Sequence, residues 1–239
     1  GNGYYRIKSR CNGLYVDVYG GIPDNGANLQ MFVGNGTNAQ KFKLKKGGKV
    51  YYVAGAGIDV KKYSDAKLNP AKKKELGISD KDFVILSVGE LNGNKNQETV
   101  IRGLSKVKHN NIKYLICGDG VCKKRLINIV KELHMQECVK LLGYRMDIPE
   151  IEKVSDVFVF PSFREGLPVS MMEAMASGLP VIASEIRGNI DLIRAGRNGF
   201  LLNPKRELDW GKKIVELMDQ KDLLKTISQN NVKDMRKYD

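Results

Sequence analysis

From residue 49 onward the chain alternates short apolar runs with amphipathic stretches, and this alternation constrains the fold more than any other feature. Runs rich in Val, Ile, Leu and Phe fall at residues 83–88, 114–117, 139–142, 157–161, 181–183 and 200–202. Between them, near 96–108, 121–134, 147–153, 168–177 and 188–194, apolar residues recur at helical spacing, and two more such stretches follow Pro204. Strands that are apolar throughout need cover on both faces, and strands separated by helices run parallel. The reading is an α/β domain over residues 47–239, a parallel sheet with helices on both faces. Ligands of such sheets bind beyond the carboxyl ends of the strands, where loops lead into helix N-termini.

Residues 1–46 have a different texture. Tyr4-Tyr5-Arg6-Ile7-Lys8 and Leu14-Tyr15-Val16-Asp17-Val18 are β-prone, and Asn12-Gly13, Gly20-Gly21, Asn25-Gly26 and Asn35-Gly36 are turn dipeptides. No helical period interrupts them, so a small β-rich unit is expected. The formal net charge of +13 comes largely from short groups such as Lys72-Lys73-Lys74 and Lys123-Lys124-Arg125, interleaved with acids at helical spacing. That pattern describes solvated helix faces, with peripheral contact to an anionic membrane as the next reading. No aromatic residues alternate with the basic ones, so nucleic acid is not an expected partner. No apolar run approaches the roughly 20 residues of a membrane-spanning helix. The expected location is the cytoplasm or the inner face of the cell membrane. Cys11, Cys117, Cys122 and Cys138 lack Cys-x-x-Cys spacing and a companion His pattern, so reduced thiols and no metal site are expected.

One stretch carries chemistry. Val157-Phe158-Val159-Phe160 reads as a buried strand, Pro161 to Gly166 as the loop at its carboxyl end, and Pro168 suits the first turn of the next helix. Glu165 then lies just before a helix N-terminus and Glu173 more than a turn inside it. Free amides of Gly166, Leu167 and Val169 would face an anion, helped by the helix dipole and by the close approach a glycine permits. Donors for a phosphate with a hydroxyl acceptor to either side suit a nucleotide sugar.

Here the sequence resembles the retaining glycosyltransferases of family 4 (group 1), enzymes of the GT-B architecture built from two Rossmann-like halves. The resemblance is carried by Glu165-Gly166-Leu167-Pro168 and by Glu173 through Ala183. Gly57-Ile58-Asp59 followed by Tyr63, Ser87-Val88-Gly89, Cys117-Gly118-Asp119-Gly120, Leu142-Gly143-Tyr144-Arg145 and Asp156 fall in the family's order and spacing. It implies a Rossmann-like donor half that binds a nucleotide diphosphate sugar, a UDP-sugar by preference, with no further cofactor. Glu165 would contact the transferred sugar and support charge at its anomeric carbon, and Lys95 would neutralise the diphosphate leaving group. Glu173 would accept from both ribose hydroxyls, with Gly166, Leu167, Pro168, Gly89 and Arg145 completing the nucleotide-sugar site. Family members carry an arginine directly after the Val-Gly of the Lys95 loop, and here that position is Glu90. Glu90 is expected to turn toward Asn94 or Asn96, with Arg145 or Arg187 as the second cation.

The first segment resembles a single ricin-type β-trefoil lectin repeat, through residues 13–18, 25–32 and Asn38-Ala39-Gln40-Lys41-Phe42, a variant of that family's Gln-x-Trp signature. The resemblance implies sugar contacts from Asp17, Phe32 and Asn38, although one repeat cannot bury a trefoil core by itself. The acceptor-binding GT-B half has no counterpart in these residues. The expected function is therefore donor binding for hexose transfer to a bacterial surface glycan or lipid-linked glycan, incomplete without such a half. A non-catalytic nucleotide-sugar or carbohydrate-binding module, or a fusion remnant, is the competing reading.

Overall fold

The computed structural model describes residues 15–18, 29–32, 58–166 and 168–238. The chain divides into two compact units, residues 1–53 and 54–239. In the first, β1 (Tyr15–Val18) pairs antiparallel with β2 (Leu29–Phe32), with Tyr15 opposite Phe32 and Asp17 opposite Gln30. Asp17 and Phe32 therefore stand on paired strands, whereas Asn38 and the β-prone run at residues 4–8 lie outside the described residues.

The second unit opens with two short helices, α1 (Val60–Ser64) and α2 (Pro70–Leu76). The sequence reading did not anticipate α1, and it marked α2 only through the solvated helix face read at Lys72-Lys73-Lys74. Both are defined by their ends: Asp59 Oδ1 accepts from Lys62 N, Asn69 Oδ1 accepts from Ala71 N, and Gly77 closes α2 in the left-handed conformation at φ 62°. Six strands follow, β3 (Phe83–Val88), β4 (Ile112–Cys117), β5 (Val139–Gly143), β6 (Val157–Phe160), β7 (Val181–Ser184) and β8 (Gly199–Leu202). They form one sheet in the order β5-β4-β3-β6-β7-β8, and every pairing is parallel. The intervening helices are α3 (Gln97–Ser105), α4 (Lys123–Glu132), α5 (Ile148–Lys153), α6 (Val169–Ala176) and α7 (Arg187–Ile190), with α8 (Glu207–Met218) and α9 (Lys221–Met235) last.

Alternate strand residues feed two separate cores. Val84, Leu86, Phe158, Phe160, Val181 and Ala183 pack with α5 and α6, while Ile85, Val157, Val159 and Ile182 pack with α3, α4 and α8 around Trp210. This is the expected two-faced burial, and each such Val, Leu, Ile or Phe side chain contributes about 1.5–3 kcal/mol. Gly103 of α3 and Gly211 of α8 face each other where a Cβ on either would overlap the other helix's backbone, which sets the close crossing of these helices. Two boundaries differ from the reading. Pro168 is the N-cap of α6 rather than part of its first turn. α7 stops at Ile190, well short of residue 194, because Asn198 takes the local backbone groups: its Nδ2 donates to Leu192 O and its Oδ1 accepts from Arg194 N.

Candidate functional site

From β3 the chain moves outward to β4 and β5, then returns to lay β6 against the other side of β3 and continues to β7 and β8. The strand order thus reverses between β3 and β6, and the loops after these two strands bound a crevice at the carboxyl edge. Lys95 belongs to the first loop and Glu165 to the second. Lys95 Nζ donates to Glu165 Oε1 at 2.8 Å, bridging the crevice. The pair is largely enclosed, with side-chain exposures of 22% and 10%, and the ammonium also lies 4.9 Å from the centroid of the Phe160 ring.

The asparagine-rich sequence at residues 92–96 builds the first loop. Asn92 Oδ1 accepts from the amides of Asn94 and Lys95, both at 3.0 Å, a side chain imitating a backbone turn. Asn96 follows at φ 53°, a left-handed conformation that asparagine tolerates. Its Nδ2 donates to Pro161 O and Pro204 O at 3.1 and 3.0 Å, and Asn94 Nδ2 donates to Arg164 O at 2.8 Å. Phe163 N donates in return to Asn94 O at 2.8 Å. The two loops are therefore held in fixed register, and the Lys95–Glu165 pair with them.

Glycines bring further backbone into the site. Gly89 lies beside the Lys95 side chain, and a Cβ on Gly118 would overlap the Gly89 carbonyl oxygen, so the loops after β3 and β4 touch through backbone alone. A cavity of about 300 Å³ opens there, walled by Val88, Gly89, Cys117, Gly118, Tyr144 and Ile148, with Glu90, Asp119 and Arg145 also lining it. Burial pushes the Cys117 thiol up to about 12, so it serves as wall and not as a nucleophile. A Cβ on Gly166 would meet nothing within 4 Å, whereas one on Gly188 would lie 2.6 Å from Glu165 O. The Glu165–Gly166 backbone rests directly on α7.

Glu173, in the second turn of α6, accepts from Tyr63 Oη at 2.5 Å. Nearby, Ser177 Oγ donates to Glu152 Oε2, while Glu152 Oε1 is buried without a hydrogen-bond partner. Burial, with the Glu173 charge adding to it, pushes Glu152 up to about 8. Neither link was visible in the sequence, since residues 63 and 173 share no local signal.

Two expectations need revision. Glu90 turns to neither Asn94 nor Asn96; its Oε2 accepts from Asn92 Nδ2 at 2.9 Å, inside its own turn. Arg145 lines the cavity, but its guanidinium bonds Asp147 Oδ1 at 2.8 Å and Glu75 Oε1 at 2.5 Å, and Lys72 bonds the same two acids. These cations hold the Asp147 carboxyl well below the usual carboxylate range. Arg187 is exposed at the start of α7, and Leu167 lies outside the described residues. In a second depression of about 390 Å³, the side chains of Asn92, Asn96, Glu98, Thr99 and Arg125 are already engaged. Glu98 pairs with Arg102 and Arg125, and Asn96 and Thr99 both donate to Pro204 O. Among the described residues no group of three or more His, Cys, Asp or Glu could hold a metal ion, and no helix is long and apolar enough to cross a membrane.

Residues 69–234 match the family model described as glycosyl transferases group 1. The chain belongs to this family. Residues 1–67 match the model of the ricin-type beta-trefoil lectin domain-like family. Among curated group 1 relatives, the UDP-Gal:alpha-D-GlcNAc-diphosphoundecaprenol alpha-1,3-galactosyltransferase of Escherichia coli is 34% identical over 180 residues, 73% of this chain and 46% of that one. The crystal structure of Anabaena HepE in complex with UDP superposes with a TM-score of 0.70 at 26% identity, over 76% of this chain and 51% of that one. The same protein was solved with UDP-glucose. The C-terminal domain of a group 1 family protein from Francisella tularensis shares the fold, with a TM-score of 0.68 at 23% identity over 76% of this chain and 97% of that one. The chain thus spans about half the length of the curated relatives it matches, and its parallel sheet is the Rossmann-like C-terminal half of a GT-B glycosyltransferase.

Proposed function

We propose that the second unit binds a UDP-sugar and acts as the donor half of a retaining hexosyltransferase whose acceptor is a glycan or lipid-linked glycan. The observation that carries this reading is the Lys95–Glu165 pair, which sits where the strand order reverses and joins the two loops that bound the crevice. Lys95 stabilises the negative charge that grows on the departing diphosphate. Glu165 meets hydroxyls of the sugar and the charge developing at its anomeric carbon. The amides of Gly166 and Leu167, with Pro168 capping α6, lead the phosphates toward the positive end of that helix. Glu173 accepts from the ribose hydroxyls. The cavity beside Gly89 takes the base, and Arg145 braces its wall with its charge already balanced by Glu75 and Asp147.

Uridine as the nucleoside is supported by the HepE complexes, and a lipid-linked acceptor by the E. coli relative. Residues 1–46 add a candidate glycan contact through Asp17, Phe32 and Asn38. Transfer also needs an acceptor held in line with the anomeric carbon, and such positioning is worth roughly 7–11 kcal/mol of barrier. An acceptor-binding half must supply it. Calorimetric titration with UDP, UDP-glucose, GDP and ADP tests the donor reading: UDP and its sugar should bind, and Lys95→Met should weaken both. Equal affinity for all four nucleotides refutes it. Robust transfer by these residues alone, with retained anomeric configuration, would refute the need for a second half.

A further inference from the structure

We infer that Tyr63 is a positioning residue of the donor site, fixing the Glu173 carboxylate in the orientation that receives the ribose hydroxyls. The inference rests on the ribose role proposed for Glu173, and the test below separates the two. Tyr63 is buried at 5% exposure, its ring in the core beneath α6 and its hydroxyl 2.5 Å from Glu173 Oε1. The phenol cannot swing away, because α1 is tied at both ends. Lys153 Nζ donates to Ser64 O at 3.2 Å and to Ser177 O at 3.1 Å, clamping the carboxyl ends of α1 and α6 together. On the other side, Ile58 N donates to Tyr238 O at 2.9 Å.

Burial and the neighbouring carboxylate raise the phenol well above its ordinary range, so Tyr63 is a hydrogen-bond donor at any pH the protein meets. A carboxylate offers about four lone-pair sites. One donor on Oε1 fixes the plane of the group and leaves enough sites for two vicinal hydroxyls. Phenylalanine at position 63 would fill the same core volume but let the carboxylate rotate. Tyr63 thus acts through Glu173 without touching the nucleotide.

The experiment is titration of the full chain with UDP and 2′-deoxy-UDP, for wild type, Tyr63→Phe, Glu173→Ala and the double variant, with melting curves recorded for each. Wild type should prefer UDP. Tyr63→Phe should weaken UDP by about threefold to tenfold, the value of one hydrogen bond, with a smaller loss for 2′-deoxy-UDP. Glu173→Ala should abolish the preference, and adding Tyr63→Phe to it should change nothing further. If Glu173→Ala abolishes the preference while Tyr63→Phe keeps it, the inference about Tyr63 falls alone. If Tyr63→Phe costs the same factor in the Glu173→Ala background, its effect runs through the fold, and the inference falls again. If Glu173→Ala keeps the preference, the ribose role itself is wrong.

Discussion

Substituting Gly188 by alanine isolates the geometry of Glu165 from its chemistry. A Cβ at position 188 would lie 2.6 Å from Glu165 O and 2.9 Å from Gly166 O, where ordinary contact begins at 3.4 Å. Both obstacles are backbone atoms, which cannot rotate aside, so the loop must retreat by about 0.8 Å. Two effects on stability oppose each other. Alanine improves helix propensity by up to about 1 kcal/mol, though a helix of four residues realises little of it, and overpacking costs about 1–3 kcal/mol. The net loss of about 1–2 kcal/mol should lower the melting temperature by roughly 2–8 °C. Function should suffer more, because the displaced backbone carries Glu165, and a misplacement near 1 Å can cost about 100-fold in rate. UDP-glucose affinity should fall about tenfold, one charge-assisted hydrogen bond lost, with a smaller loss for UDP through the displaced Gly166 amide. Calorimetric titration with both ligands reads this difference. Wild-type affinity for UDP-glucose, or equal losses for both ligands, would refute the argument that α7 seats the carboxylate proposed to contact the sugar.

Glu152 should make the fold less stable as the pH rises from acid to neutral. Its carboxyl titrates near 8 in the folded chain against an ordinary 4.5, so the unfolded chain releases that proton first, and stability falls between these values by up to about 1.4 kcal/mol per pH unit. Glu152→Gln should remove the decline; parallel melting curves for both proteins from pH 5 to 8 would refute it. Arg145→Met should leave UDP affinity within about twofold, since Glu75 and Asp147 already hold the guanidinium, and should cost about 1 kcal/mol of stability. A tenfold weaker titration would show the charge facing the diphosphate. Glu90→Arg should tighten UDP binding about threefold to tenfold at low ionic strength, with most of the gain lost in 0.5 M salt. Unchanged affinity at low salt would mean that position 90 does not sense the phosphates.

What the sequence made legible was what local pattern encodes. Each of the six strands lies at an expected apolar run, and central β6 shows why: a strand buried on both faces is apolar along its whole length, as Val157–Phe160 is. The Lys95–Glu165 contact was accessible at one remove, since both residues follow strands and the fold class sends such loops to one edge. α1 and α2 were not legible by period, being too short to repeat; only their caps mark them, and a cap without an apolar face is a weak signal. The partners of Arg145 depended on where α2 lands. The Tyr63–Glu173 bond spans 110 residues and joins two helices whose adjacency no local rule predicts.

Glu90 shows how one substitution redistributes charge within an unchanged frame. Where family members place an arginine, this chain has a carboxylate, and the one ammonium bridging the crevice is already bonded to Glu165. Lys95, Glu165 and Glu90 together therefore offer a diphosphate no net positive charge. Attraction comes from the amides at the start of α6, whose partial charge needs no neutralising side chain, and from Lys95 itself, if the diphosphate takes it from Glu165. That exchange has a chemical consequence. On the roles proposed for these residues, an ammonium that turns to the leaving group would free both oxygens of Glu165 for the sugar, so the event that neutralises the diphosphate would also prepare the carboxylate beside the anomeric carbon. The partly enclosed pair makes the exchange costly for a free phosphate, which gives Glu165 no new partner, and less costly for a donor that brings hydroxyls to replace the lost bond. On this account the substitution at position 90 biases the site toward the intact nucleotide sugar over the nucleotide alone.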